Sequence, residues 1–271
     1  MIKGTQLRDA FISGANSISN CRQQVDALNV FPVPDGDTGT NMSMTINAAK
    51  RELETLRDDP TVEQVAKKAA SALLRGARGN SGVITSQLFR GFAKELEGIE
   101  EADTVTLAKA SAKAVETAYK AVMKPKEGTI LTVARVMSES ALKYCHKITD
   151  VAEFMEAVIK DGHAILLQTK EMLPVLKQAD VVDAGGMGLL YVLEGALKIA
   201  FDNTDVKIEE SASGQAKKEY AALASVDNES ITFGYCTEFF INVQNAPEST
   251  VGGLKNYLSS IGDRTALAIV W

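Results

Sequence analysis

The sequence predicts an all-α protein over its first 200 residues, in which eight helices run up and down. Apolar residues recur every three or four positions in eight successive segments, which is the period of a helix with one buried face. Short links containing Gly, Pro, Asp or Asn separate these segments, and short links favour antiparallel neighbours. We expect a linker and a partial α+β segment to follow the helices.

Start and stop signals help to place the helices along the chain. Thr61 and Gln64 have the spacing of a capping box at the start of helix three, and Pro174 stops helix seven. In order, the segments that mark the helices are Leu7 to Leu28, Met42 to Leu56, Thr61 to Leu73, Ile84 to Leu96, Thr106 to Met123, Thr129 to Tyr144, Asp150 to Leu173 and Leu189 to Ala200. Residues Thr38 to Asn41 open helix two, and helix eight follows Gly186.

The composition is that of an ordinary soluble protein, with 271 residues and a net charge of −6. The acidic balance and the lack of a Lys/Arg-rich block argue against a nucleic-acid partner. Neither a signal-peptide core nor a run of about 18 apolar residues is present, so we expect a cytoplasmic protein without integral membrane association. The three cysteines are too widely spaced for a zinc ribbon or a disulfide framework.

The links between the predicted helices fall into two alternating classes. Those after helices two, four and six are bland, whereas those after helices one, three, five and seven contain clusters of Gly, Asp, Asn and Ser. In an up-and-down array, alternate links lie at the same end. We therefore expect four unusual loops to share one rim, where the N-termini of helices two, four, six and eight form an anion site.

The loop between helices one and two carries the most specific chemistry. Asp35 and Asp37 are separated by one glycine, which lets both carboxylates converge on one point. Converging carboxylates repel each other unless a cation joins them, and Mg²⁺ typically binds one or two protein carboxylates together with substrate phosphates. The pair also precedes a helix N-terminus, which suits phosphate. By itself, however, Asp-Gly-Asp is more often an ordinary turn with an N-cap.

The whole run at residues 29–42, Asn-Val-Phe-Pro-Val-Pro-Asp-Gly-Asp-Thr-Gly-Thr-Asn-Met, is longer and more specific. It resembles the signature of the DhaL family, the nucleotide-binding subunit or domain of dihydroxyacetone kinases. Its Phe-Pro-Val-Pro part is similar to the branch found in the fatty acid kinase A subunit. The resemblance extends over residues from about 5 to 200 and implies an eight-helix antiparallel barrel that binds Mg-ATP across one end. Neither a P-loop nor a Rossmann glycine fingerprint is present.

The resemblance also implies which residues form the site. Asp35 and Asp37 would hold the metal, with two Mg²⁺ ions expected, and Asn29 would assist where other family members place a third acid. Independently of the resemblance, the position of Arg78 and Arg75 in the neighbouring loop makes them candidates for stabilising charge on the transferred group, and we take Arg78 as the first of the two. The ATP or ADP site would use residues of all four loops, namely Thr38, Gly39, Thr40, Asn41, Asn80, Ser81, Gly82, Thr129, Leu131, Asp183 and Gly185.

Three of these loops also have ordinary structural explanations. The run from Arg75 to Gly82 could be a glycine C-cap followed by a new N-cap. The run from Lys124 to Leu131 could be a simple turn and cap. The run from Val182 to Gly188 could serve tight helix packing. These alternatives stay open for each loop taken alone, whereas four such loops on one rim favour a site.

Beyond the helices, residues 201–220 are predicted to be a polar linker. Residues 221–271 resemble the start of the middle domain of fatty acid kinase A proteins, with strands at 231–243 and 265–271 and an amphipathic helix from Val251 to Ile261. Cys236 resembles a metal position of that domain, but no histidine follows it. Because those proteins continue much further, we expect a truncated or frameshifted product.

The resemblance implies an ATP-dependent phosphotransferase subunit. It would transfer the γ-phosphoryl group to the carboxylate of a fatty acid held by a DegV-like carrier protein and give an acyl phosphate. Two alternatives stay open: a DhaL subunit of a dihydroxyacetone kinase, and a nucleotide-binding regulatory module or inactive fragment. A homodimer is also compatible with the sequence.

Overall fold

The computed structural model describes residues 1–56, 59–202, 207 and 248–261, and ten helices lie in these ranges. In chain order they are α1 (Gly4–Ala27), α2 (Thr38–Leu53), α3 (Val62–Gly76), α4 (Gly79–Glu95), α5 (Thr104–Ala121), α6 (Ile130–Tyr144), α7 (Val151–Met172), α8 (Pro174–Ala179), α9 (Ala184–Asp202) and α10 (Glu248–Ile261). The predicted all-α fold is confirmed.

The structure differs from the sequence prediction at the starts of two helices and by one additional helix. The helix predicted after Gly186 begins earlier, at Ala184, so Gly185 belongs to the first turn of α9. Pro174 ends α7 as predicted, but it also begins the short helix α8, because a proline at the first helical position loses no hydrogen bond. The helix predicted after Gly82 begins earlier, at Gly79. The Gly82 N–H already donates to the Arg78 carbonyl at 3.0 Å, so Asn80, Ser81 and Gly82 belong to the first turn of α4 and not to a loop.

The eight long helices of the first 202 residues form a closed ring. Each helix from α1 to α7 packs against the next one, α7 packs against α9, and α9 packs against α1. This ring is the eight-helix barrel that the sequence predicts.

Small residues at the seam between α1 and α9 close the ring. A Cβ atom on Gly195 would lie 2.4 Å from the Cβ of Ser17, and one on Gly14 would lie 2.7 Å from the Val192 carbonyl oxygen. The Ser13 hydroxyl donates to the Gly195 carbonyl at 2.6 Å. The two backbones therefore approach more closely than larger residues would allow.

The ring surrounds an apolar core that contains a cavity of about 200 Å³. The cavity is lined by the first half of α1 and the last half of α4, among other segments, and thus lies away from the loop between α1 and α2. The rings of Phe11 and Phe89 pack beside it with their centroids 5.1 Å apart. Its lining offers a water molecule few hydrogen-bond partners.

Most of the predictions for the C-terminal part lie outside the described residues. These include nearly all of the linker at 201–220, both strands and Cys236. The division into domains stays a prediction. The amphipathic helix predicted from Val251 corresponds to α10. In the described ranges, no helix is long and apolar enough to cross a lipid bilayer.

Gly195→Val tests the closing seam. The added side chain would collide with Ser17, and we expect this overpacking to lower the unfolding free energy by about 1–3 kcal/mol in urea denaturation. Gly252→Ala is the control, because this helical glycine has no neighbour within 4 Å of an added Cβ, and it should cause no loss. Unchanged stability of Gly195→Val would contradict the close approach.

Candidate functional site

The connection between α1 and α2 places Asp35 and Asp37 side by side. Asp37 is the N-cap residue of α2, yet its side chain makes no capping hydrogen bond. The N-cap side chains of α3, α5, α6 and α7, by contrast, each accept a backbone N–H. Helix α2 therefore begins on a carboxylate that its own backbone does not use.

The neighbourhood of Asp35 disfavours its ionised form. Partial loss of hydration, followed by the charge and the hydrogen bonding of Asp37, raises the pKa of Asp35 above its ordinary value. Hydrogen bonds from its own backbone and from Asn29 act in the opposite direction. A cation between the two carboxylates would relieve their repulsion.

Asn29 lies behind Asp35 and holds it in place. The Asn29 amide nitrogen donates to Asp35 Oδ1 and to the Val33 carbonyl, both at 2.8 Å. Its amide oxygen accepts from the Thr38 hydroxyl. Asn29 is buried, and both ends of its amide are engaged within the protein. This geometry supports an orienting role, and its assignment as a metal ligand stays a prediction.

Asp26 is a site residue that the sequence analysis missed. Its buried carboxylate accepts from the Thr40 N–H at 2.9 Å and from the Thr40 hydroxyl at 2.8 Å. It thus ties the end of α1 to the first turn of α2. The available signal was an acid next to Val25 on the buried side of helix one, where an unpaired charge would be costly.

The N-termini of α2 and α4 meet at a second junction. The Asn41 side chain contacts Gly79, where a Cβ would lie 2.4 Å from Asn41 Nδ2. Gly79 has a φ of +60°, a conformation that favours glycine. The Arg78 backbone N–H donates to the hydroxyl of Thr45 at 3.1 Å. The contact brings the predicted residues Asn80 and Ser81, in the first turn of α4, next to the first turn of α2.

The structure distinguishes between the two candidate arginines. Arg75 forms an ion pair with Glu52 at 3.2 Å, and its other terminal guanidinium nitrogen donates to the Ser71 hydroxyl at 2.6 Å. Among the residues that the structure describes, the exposed Arg78 guanidinium donates only to the carbonyl of the preceding residue, Ala77, at 2.8 Å. In the described part of the chain, Arg78 is the one of the two that forms no ion pair.

Asp183 joins the N-termini of α6 and α9. Its carboxylate accepts the Gly186 N–H at 2.7 Å and also interacts with the amides of Ile130 and Gly185. Its own N–H donates to Thr169 at 3.0 Å. Burial raises the pKa of Asp183 to about 6, while the three amides act to lower it. The structure thus places this predicted nucleotide-binding acid in the protein interior, with backbone groups as its partners.

Thr129 and Leu131 are brought together in the first turn of α6. The Thr129 hydroxyl accepts the Leu131 N–H at 3.4 Å and donates to the Lys126 carbonyl at 2.8 Å. Thr129 is therefore the predicted helix cap. Leu131 is buried, so it can offer its backbone more readily than its side chain.

The N-termini of α2, α4, α6 and α9 lie at one end of the ring, as contacts between pairs of these helices show. α2 meets α4 where Asn41 touches Gly79. α2 meets α9 where a Cβ on Gly188 would lie 2.6 Å from the Met42 sulfur. α9 meets α6 through Asp183. We call this end, formed by the N-termini of α2, α4, α6 and α9, the rim.

The donor set at the rim fits a hard divalent cation that a ligand helps to bind. Two carboxylate oxygens and a helix N-terminus lie together, as a metal with a phosphate requires. No group of three or more His, Cys, Asp or Glu side chains in the described residues could hold a metal without such help. Asp35 and Asp37 can thus supply only part of a coordination shell.

A family model and curated relatives identify the family. The model of the DAK2 domain matches residues 32–198. The chain belongs to the DAK2-domain family. Protein YloV of Bacillus subtilis is 42% identical over 269 residues, covering 97% of this chain and 48% of the relative. An uncharacterized Staphylococcus aureus protein is 43% identical over 242 residues, covering 89% of this chain and 44% of the relative. The chain thus spans about half the length of these relatives.

Solved structures share the fold of the DAK2 domain. The dihydroxyacetone kinase of C. freundii in complex with AMP-PNP and Mg²⁺ aligns with a TM-score of 0.54 at 17% identity, over 72% of this chain and 34% of that one. The native form of the same kinase aligns with a TM-score of 0.50 at 19% identity, over 73% of this chain and 35% of that one. The likeness agrees with the ring described above.

Asp37→Ala separates a ligand-binding acid from an ordinary helix cap. Because the Asp37 side chain makes no capping bond and lies beside Asp35, its removal should leave the melting temperature of the metal-free protein unchanged or higher. The matched variant Asp103→Ala removes a side chain that accepts the Thr106 N–H at 2.7 Å and should cost about 1 kcal/mol. Equal destabilisation by both variants would show that Asp37 is a structural cap.

The pH dependence of stability tests the burial of Asp183. Its pKa is raised from 3.8 to about 6 in the folded protein, so folding favours the protonated form. Asp183 therefore contributes roughly 3 kcal/mol to the unfolding free energy. This contribution is complete below about pH 4 and is lost as the pH rises through about 6. We expect the stability of the parent relative to Asp183→Asn to fall over this window, measured by denaturation at each pH. A constant difference between the two proteins would contradict the assignment.

Proposed function

We propose that the rim binds a magnesium nucleotide and that the DAK2 domain transfers its γ-phosphoryl group. The observation that carries this proposal is the pair Asp35 and Asp37 at the N-terminus of α2, where the N-cap carboxylate is unused by the helix. The structural relative in complex with AMP-PNP and Mg²⁺ supports the same type of ligand.

The residues around this pair supply what phosphoryl transfer needs. Mg²⁺, when bound, neutralises charge that develops on the phosphates. Asp35 and Asp37 would hold it, while Asn29 and Thr38 fix the orientation of Asp35. Such a reaction depends on positioning and charge neutralisation more than on a protein nucleophile.

Backbone amides of α2 would contact the phosphates. Within the described residues, the Thr40 N–H donates to Asp26 and the Asn41 N–H to the Asp37 carbonyl. The amides of Thr38 and Gly39 are therefore the ones that remain for an anion at this helix N-terminus. Arg78 would add a mobile guanidinium from the neighbouring N-terminus of α4, where it can stabilise charge on the transferred group.

For the acceptor, we propose the carboxylate of a fatty acid presented by a DegV-like carrier protein. The Phe-Pro-Val-Pro run at residues 31–34 supports this choice, because it is similar to the fatty acid kinase A branch. The second candidate is dihydroxyacetone held by a partner subunit, which the structural likeness to a dihydroxyacetone kinase favours. Product analysis with radiolabelled ATP and each acceptor system separates the two, since the products are an acyl phosphate and a sugar phosphate.

Calorimetric titration of ATP, with and without Mg²⁺, tests the nucleotide site. We expect binding that depends on Mg²⁺ and that Asp35→Asn weakens at least tenfold, which corresponds to about 1.4 kcal/mol. Asp9→Asn makes the same change of charge at an exposed position near the other end of α1 and should bind ATP like the parent. Unaltered affinity in a folded Asp35→Asn protein would refute the assignment.

A further inference from the structure

Thr45 occupies a central position between two elements of the rim. Its side chain, buried in α2, donates from its hydroxyl to the Asn41 carbonyl at 2.7 Å. The same hydroxyl accepts the backbone N–H of Arg78 at 3.1 Å. One hydroxyl thus connects the first turn of α2 to the residue that precedes α4.

The packing around this hydroxyl leaves it little freedom. A Cβ on Gly82 would lie 2.4 Å from Thr45 Oγ1, so the hydroxyl rests directly against the first turn of α4. On the other side of the connection, a Cβ on Gly76 would lie 2.3 Å from the Cβ of Ala48, one turn further along α2. Both ends of the α3–α4 connection are therefore packed on α2, and its middle is held by Thr45.

We propose that Thr45 is a positioning residue for Arg78. The Arg78 guanidinium is exposed, and within the described residues it donates only to the adjacent Ala77 carbonyl, so the position of the Arg78 backbone decides where the guanidinium can reach. The Thr45 hydroxyl fixes that backbone relative to α2, which also carries Asp37. This inference rests on the proposed function, in which Arg78 stabilises charge on the transferred phosphoryl group.

The chain offers a closely matched control for a buried threonine. Thr85, on α4, is also fully buried, but its hydroxyl has no hydrogen-bond partner in the described structure. Thr85→Val should therefore leave stability unchanged or higher, because it removes an unsatisfied polar group. Thr45→Val changes the side-chain shape as Thr85→Val does, but it also removes the hydroxyl that accepts the Arg78 N–H. Thr45→Ser keeps a hydroxyl and should rescue the loss.

The experiment measures binding of Mg-ADP with and without aluminium fluoride, a planar mimic of the phosphoryl group in transfer, to the full chain. We expect the mimic to tighten Mg-ADP binding to the parent and to the Thr85→Val and Thr45→Ser variants. Thr45→Val and Arg78→Met should each reduce this tightening by about tenfold or more, as expected when a charge-stabilising group is misplaced. Both should bind plain Mg-ADP within about twofold of the parent, because a factor of two is only about 0.4 kcal/mol.

The double variant decides whether Thr45 acts through Arg78. We expect Thr45→Val to cause no further loss in the Arg78→Met background, because coupled residues are not additive. The proposal would be overturned if the losses from Thr45→Val and Arg78→Met were additive. It would also be overturned if Thr45→Val lowered the affinity for plain Mg-ADP as much as the affinity in the presence of the mimic, or if the mimic did not tighten binding to the parent. A wrong assignment of the nucleotide site can be distinguished from a wrong role for Thr45. If the site were wrong, the Asp35→Asn variant would bind Mg-ADP like the parent.

Discussion

Closure of the ring at the seam between α1 and α9 determines where the groups of the rim lie. Gly14 and Gly195 let the two backbones approach closely, so α9 can complete a circle that begins at α1. Only then does Gly188 reach Met42 on α2, while Asp183 reaches the amide of Ile130 on α6. Groups far apart in the sequence become neighbours because of a packing constraint that involves none of them.

The four helix N-termini at the rim each carry a partial positive charge. Their backbone N–H groups find different hydrogen-bond acceptors. α6 and α9 share the buried carboxylate of Asp183. At α4 the N–H of Arg78 donates to Thr45. At α2, the Thr40 N–H donates to the Asp26 carboxylate, whereas the carboxylate of the N-cap residue Asp37 makes no capping hydrogen bond. The proposed anion site is therefore centred on α2, and the N-termini of α4, α6 and α9 support it.

The apolar period of the sequence predicted the eight long helices well, since a helix of several turns with one buried face leaves a strong pattern. Their closure into a ring was implied by the family resemblance. The alternation of bland and unusual links likewise predicted that four N-termini share one end. These features are local, or follow from the order of the helices. The short helix α8 escaped prediction because Pro174 signals both an end and a beginning.

The partners of polar side chains were harder to predict. Asp183 is followed by Ala-Gly-Gly, a pattern that suits either a ligand or close packing, and only the position of α6 shows that backbone amides surround its carboxylate. Thr45 and Asp26 belong to helical segments in which the sequence shows the buried face but not the group that lies across it. Hydrogen bonds between helices depend on the relative position of two elements, which no single segment contains.

Burial separates the structural acids of the rim from the candidate ligand acids. Asp26 and Asp183 are 7% and 5% exposed, and both accept backbone N–H groups. Backbone N–H groups engage these two carboxylates inside the protein, which leaves them less open to a ligand-bound cation. Asp35 is exposed and faces a like charge, so a cation bound between Asp35 and Asp37 would offset the repulsion between their carboxylates. We therefore expect the proposed site to bind and release a cation and a nucleotide without loss of the fold.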